Sequence, residues 1–184
     1  MNQTDEALMQ AVREGNLSQL GHLFDRHHRA VFDFLVRTTG QKAVAEDLVQ
    51  DVFERVLKFR TTYRGESGFL PWLFRIACNA RADHYRKLHP TSSWSDELDG
   101  EDESAGPERV VESASDAQRL QRALLSLRPD KRELIVLARF SELKYETIAE
   151  LHGVDVGTIK VRVHRALKEL RDRFMALENS THAM

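Results

Sequence analysis

The chain of 184 residues holds a single cysteine, Cys78, so it can close no internal disulfide and cannot build a cysteine-rich zinc site. That thiol reads as reduced and buried. No apolar run approaches the ~18 residues needed to cross a bilayer, which argues against membrane insertion. The opening residues, MNQTDEALMQ, have neither a basic start nor an apolar stretch, so no secretory signal is legible and the cytoplasm is the expected compartment. The nine glycines form neither a Walker nor a dinucleotide-binding pattern. The eight histidines are scattered, His27 and His28 being the only adjacent pair, and they suggest no metal site or catalytic triad. Neither enzyme activity nor a cofactor is expected. No segment alternates apolar and polar residues for long enough to make a strand, and an all-α fold follows.

What is present is charge, 30% of the residues, against 41% hydrophobic, the balance of a globular chain. The formal net charge is only -2, but the charges are segregated. Residues 1 to 90 carry 13 Lys/Arg against 11 Asp/Glu, residues 91 to 118 carry 1 against 9, and residues 119 to 184 carry 13 against 9. The balances are therefore +2, -8 and +4. The acidic stretch, from Pro90 to Ser113, has Trp94 as its only aromatic and too few apolar residues to fold alone. It reads as a flexible tether between two small helical domains, residues 1–90 and 115–184, with the linker at 91–114. Extended at ~3.3 Å per residue, it lets two distant sites be held together.

Apolar residues recur at helical spacing on both sides of the tether. Before it come Leu8, Ala11 and Val12, closed by Gly15; Leu20 to Leu35, ending near Gly40; Leu48 to Leu57; and a fourth helix with Pro71 in its first turn. After it, Ser115 and Gln118 form a capping box for a fifth helix bearing Leu120, Ala123, Leu124 and Leu127. Pro129 opens a sixth helix, running through Phe140. Two more are expected at 145–152 and 156 to about 176.

The most specific pattern is YETIAELHGVDVGTIKVRVHRALKEL, a helix-turn-helix. Ala149 suits a close helix crossing, Gly153 a turn with positive φ, and Val154 and Ile159 the wedge between the helices. Asp155 caps the second helix. Ile159, Val163, Ala166 and Leu170 share one face of that helix and should pack inward. The opposite face carries Lys160, Val161, His164 and Arg165, with Thr158 and Arg162 on its flank, as a major-groove reader requires. Lys168, Arg171 and Arg173 lie further along, toward phosphate or solvent. Without the Ala-Gly-Ile spacing, such a basic face is simply a solvated helix surface.

In the N-terminal half, Glu46, Asp47, Gln50, Asp51 and Glu54 line one face of the third helix, which by periodicity alone is an ordinary amphipathic surface. The segment YRGESGFLPWLFRIACNARADHYRK interleaves aromatics with Arg75, Arg81, Arg86 and Lys87, a pattern suited to stacked bases and their phosphates. Phe69, Trp72, Leu73 and Ile76 read as core. Tyr63, a loop aromatic, and Asn79 are the candidates for contact with an unpaired base.

In order along the chain, AEDLVQDVFERVL, the Tyr63–Lys87 segment, the acidic linker and LKYETIAELHGVDVGTIKVRVHRALKELR resemble an extracytoplasmic-function sigma factor of bacterial RNA polymerase. The resemblance spans roughly residues 5 to 175. It implies a first domain that docks on core RNA polymerase and opens the -10 element, and a second that reads the -35 element as duplex. It places Asp47, Gln50, Asp51 and Glu54 on the polymerase-docking helix. Tyr63, Arg64 and Asn79 fall where a flipped -10 base is held, and Lys160, Val161, Arg162, His164 and Arg165 on the -35 reading helix. An anti-sigma factor is a further partner the resemblance admits. Lys144 departs from the pattern, standing where a serine cap is common, and the tail ENSTHAM matches nothing in it. The competing classes are a helix-turn-helix repressor or activator and a helical interaction module.

Overall fold

The computed structural model describes residues 3–66, 68–88, 116–141 and 143–182, and every regular element among them is helical. The acidic stretch with Trp94 and the expected cap Ser115 lie outside these residues.

Helix α1 (Asp5–Arg13) starts on Thr4, whose hydroxyl oxygen accepts from the Ala7 amide at 3.2 Å. Its Asp5 carboxylate accepts from Arg26 Nη1 at 2.6 Å and lies 2.6 Å from His27 Nε2, clipping α1 to α2 (Gln19–Thr39). Burial pushes the Asp5 carboxyl up, but the hydrogen bonds from Arg26 and His27 outweigh it and hold the group below its usual range. After α3 (Lys42–Lys58) a short 3-10 turn (Arg60–Thr62) leads toward α4 (Phe69–Leu88). Phe34 meets Phe74 edge-on with centroids 5.6 Å apart, and Leu8, Met9, Leu23, Leu35, Phe69 and Leu73 complete a fully buried core. Burying each such side chain contributes roughly 1.5–3 kcal/mol.

The C-terminal unit is α5 (Asp116–Leu125), α6 (Pro129–Ile135), a wider π-helical turn (Val136–Phe140), α7 (Tyr145–His152) and α8 (Val156–His182). Helix α5 stops before Leu127 because Arg132 takes the carbonyls released at its end. Its guanidinium donates to Leu124 O at 3.1 Å, Leu125 O at 2.5 Å and Leu127 O at 2.9 Å. The expected sixth helix is α-helical only to Ile135. Helix α8 outruns its expected end near residue 176, since neither glycine nor proline interrupts the chain from Thr158 onward.

The two units pack on each other. Arg132 donates a further hydrogen bond, 2.7 Å to Thr38 O at the end of α2, and Gln121 reaches Arg37 O at 3.3 Å. The Arg37 guanidinium lies 4.1 Å from the Phe140 ring centroid. Gly40, at φ 75°, closes α2 where a Cβ would stand 2.7 Å from Leu125 Cδ1, so both the turn and the contact need glycine. Burial, reinforced by Arg81, lowers Arg132 to about 10, leaving it charged at neutral pH.

Candidate nucleic-acid and polymerase interfaces

Helix α7 buries Ile148 and Ala149 and ends at Gly153, whose φ of 64° turns the chain toward α8. Lys144, at its N-terminus, makes no side-chain cap. Asp155 caps α8, accepting from the Thr158 amide at 2.8 Å and the Thr158 hydroxyl at 2.5 Å. These hydrogen bonds hold its carboxyl below the usual range. Ile159, Val163, Ala166 and Leu170 are all buried, fixing the rotation of α8. Lys160, Val161, Arg162, His164, Arg165 and Lys168 are consequently exposed, and Val161 keeps 50% of its surface open. Thr158 differs from them: it is half-buried and its hydroxyl donates to the cap.

On α3, Asp47, Gln50 and Glu54 are exposed, and Glu46 lies 3.8 Å from Lys42. Asp51 is half-buried and belongs to a chain of ion pairs. Arg55 Nε donates to Asp51 at 2.9 Å and Arg55 Nη1 to Asp83 at 2.6 Å, while Asp83 also accepts from Arg86. Burial pushes the Asp83 carboxyl up, but Arg55 and Arg86 outweigh that and hold it low. The i, i+4 spacing hinted at the first pair; the link to α4 needed the tertiary fold.

The expected single-strand surface is rearranged. Arg64 and Asn79 are exposed, but Tyr63 is only 2% exposed, so its ring offers no face for a base to stack on. It packs edge-on to Trp72 and Phe69, with centroids 5.3 and 6.3 Å away. Its hydroxyl has no hydrogen-bond partner, and burial followed by the charges of Glu6 and Asp5 pushes the phenol up. The loop position suggested exposure; two neighbouring aromatics, Phe69 and Trp72, give the ring a better place in the core. Trp72 is half-buried, while Phe69, Leu73 and Ile76 are core as expected.

Among the α4 cations, Arg81 is buried, donating to Glu133 Oε2 of α6 from Nε at 3.0 Å and Nη2 at 2.5 Å. Arg75 donates to Glu150 O of α7 at 3.3 Å. His152 Nε2 lies 3.6 Å from the second Glu133 oxygen, and burial lowers its pKa against the pull of Glu133. Cys78 sits half-buried in this seam, its thiol pushed up by burial and by Glu133, as befits an unreactive group. Among the described residues no group of three or more His, Cys, Asp or Glu could hold a metal ion, and no helix is long and apolar enough to cross a membrane.

A helix-turn-helix with a basic outward face, joined to a second helical unit with an acidic helix and a polar loop, defines a modular DNA-binding protein. Residues 23–91 match the family described as Sigma-70 region 2, and residues 117–170 match Sigma-70, region 4. The chain is 34% identical to RNA polymerase sigma factor CarQ of Myxococcus xanthus, the match covering 92% of this chain and 97% of that protein. It is 30% identical to the ECF RNA polymerase sigma-E factor of Escherichia coli strain K12, covering 95% and 96%. In three dimensions it resembles the sigma factor RpoE of Bartonella quintana, solved with the anti-sigma factor NepR. That match has a TM-score of 0.67 and 29% identity, and covers 84% of this chain and 96% of the other. The chain belongs to the extracytoplasmic-function group of sigma-70 family RNA polymerase sigma factors. It is a promoter-recognising initiation factor.

Proposed function

We propose that the two helical units divide the work of initiation. The C-terminal unit reads the -35 duplex through Lys160, Val161, Arg162, His164 and Arg165, with Thr158 holding the helix start through the Asp155 cap. The N-terminal unit docks on core polymerase through Asp47, Gln50, Asp51 and Glu54, and holds the opened -10 strand through Arg64 and Asn79. Tyr63, packed against Trp72 and Phe69, would join them only by leaving that core. The protein acts in the cytoplasm, without catalysis of its own, and an anti-sigma factor is a fitting partner, since RpoE is seen with one.

The observation that carries this reading is the rotation of α8, whose buried stripe leaves Arg165 on the exposed side. An arginine there suits a bidentate pair to guanine O6 and N7. Selection of -35 variants with core polymerase, for the wild type and Arg165→Ala at fixed salt, tests it. The substitution is expected to cost ~1–3 kcal/mol and relax preference at one base pair. A uniform loss with a shallower salt slope would reassign Arg165 to phosphate, and no change would put the wrong face against DNA.

A further inference from the structure

The turn between Tyr63 and Phe69 carries Arg64, and it has few restraints of its own. Gly65 and Gly68 both take positive φ, 76° and 80°, and the Gly68 amide reaches Gly65 O only at 3.4 Å. The shape of the turn is therefore set at its two ends. At the entrance the Tyr63 ring is fixed by its edge-on contacts with Phe69 and Trp72. At the exit α4 begins, and the first amides of a helix have no partner inside it. Pro71 brings no amide there, and that of Phe69 donates to Glu6 Oε1 of α1 at 3.3 Å. The same oxygen lies 3.6 Å from where a Cβ on Gly68 would stand. Helix α1 is held in turn, since Asp5, next to Glu6, is clipped to Arg26 and His27 of α2, and the His27 ring centroid lies 5.4 Å from that of Phe69. Glu6 and Phe69 are 63 residues apart, and α1 lies ahead of residues 23–91, which match region 2.

We propose that Glu6 is a positioning residue for the -10 contact: through the Phe69 amide its carboxylate fixes the exit of the turn that carries Arg64, so that α1 presents this turn to the opened strand in one shape. Glu6 need touch no DNA to do so. Its role rests on the reading of Arg64 as a strand contact and adds the group that sets where Arg64 stands. A turn that is already ordered loses less conformational freedom when it meets a base. A turn with a loose exit meets the strand in several ways, so it holds the strand more weakly and separates one base from another less well. The carboxylate is a stronger acceptor than a neutral oxygen, and its charge suits the positive end of α4. A glutamine in its place keeps an acceptor oxygen without the charge, and an alanine keeps neither.

Promoter opening by core polymerase carrying the full chain, followed with a fluorescent base in the -10 element, tests this on promoters that differ by single bases there and in the -35 element. Glu6→Ala is expected to slow opening of the preferred promoter roughly tenfold, the low end of what a hydrogen bond to a charged group contributes, since Glu6 is exposed. It is also expected to narrow the gap between the preferred and the substituted -10 bases, while -35 preference and capture of core polymerase stay at the wild-type level. Glu6→Gln is expected to recover most of both losses. Wild-type opening and -10 preference in Glu6→Ala would overturn the proposal, as would a glutamine no better than the alanine. An equal loss at the -10 element, the -35 element and core binding, with a lowered melting temperature, would also overturn it, leaving α1 as part of the scaffold alone. The underlying reading fails separately: Arg64→Ala, which leaves the Glu6 contact intact, would then open the promoter as the wild type does. Slow opening by Arg64→Ala beside normal opening by Glu6→Ala removes the part of Glu6 and keeps that of Arg64.

Discussion

Tyr63 shows how a single residue can mislead when read from its position. In the folded chain its ring is core and its hydroxyl is an unpartnered polar atom. Replacing both an unpartnered hydroxyl and its volume is expensive, whereas deleting the hydroxyl alone is nearly free. Tyr63→Phe is therefore expected to melt within about 1 kcal/mol of the wild type, and Tyr63→Ala to lose roughly 3–5 kcal/mol through the cavity it leaves. Chemical denaturation of the two variants decides it. A stable Tyr63→Ala would mean that the ring is not packed as described and is free to meet a base. Glu133 carries the opposite lesson. It borders a Leu134-Ile135-Val136-Leu137 run that is wholly buried, and an acid so placed needs a cation from elsewhere. The sequence contained that signal, but not which of the basic residues would answer it.

At the scale of elements the sequence was most legible where a period and a breaker coincide. The stripe Ile159, Val163, Ala166 and Leu170 is buried and Gly153 takes a positive φ, both set by local geometry. Helix ends were less legible, because α5 stops where Arg132 caps it from another helix and α8 lacks a breaker. The acidic face of α3 divides into two parts that periodicity could not separate. Asp47, Gln50 and Glu54 are exposed, while Asp51 helps hold Arg55 and, through it, α4. Reversing Asp51 would thus disturb the fold as well as any docking surface. The cleaner variant is the double change Asp47→Lys and Glu54→Lys. It is expected to weaken capture of core polymerase at least about tenfold, mainly through lost electrostatic complementarity, with unchanged helical content. Undiminished capture by the folded double variant would leave this face as solvated surface.

For the whole molecule, the sequence suggested two domains on a tether, and the fold adds that they meet through a seam built from Arg81, Glu133, Arg132 and Arg37. That seam was illegible because each of its partners lies at least 52 residues from the other, and no local period reports such a pairing. It also has a geometric consequence. A compact chain of this size is about 40 Å across. The -35 and -10 elements lie roughly 25 base pairs apart, about 85 Å along B-form DNA. One chain can hold both only with its units apart, at a separation that the 27 residues between Leu88 and Asp116 can span at ~3.3 Å each.

The division of labour between the two units is tested most directly by the distance between them in the free chain and in the initiation complex. Dyes on the exposed positions Arg29 of α2 and Arg171 of α8, introduced as Arg29→Cys and Arg171→Cys, report it by energy transfer. Cys78, half-buried with its thiol pushed up, stays unlabelled when the free chain is treated. Transfer is expected to be efficient in the free chain and almost lost once core polymerase and promoter DNA are bound, as the separation moves from about 40 Å toward 85 Å. Efficient transfer that persists while both promoter elements are protected would contradict it.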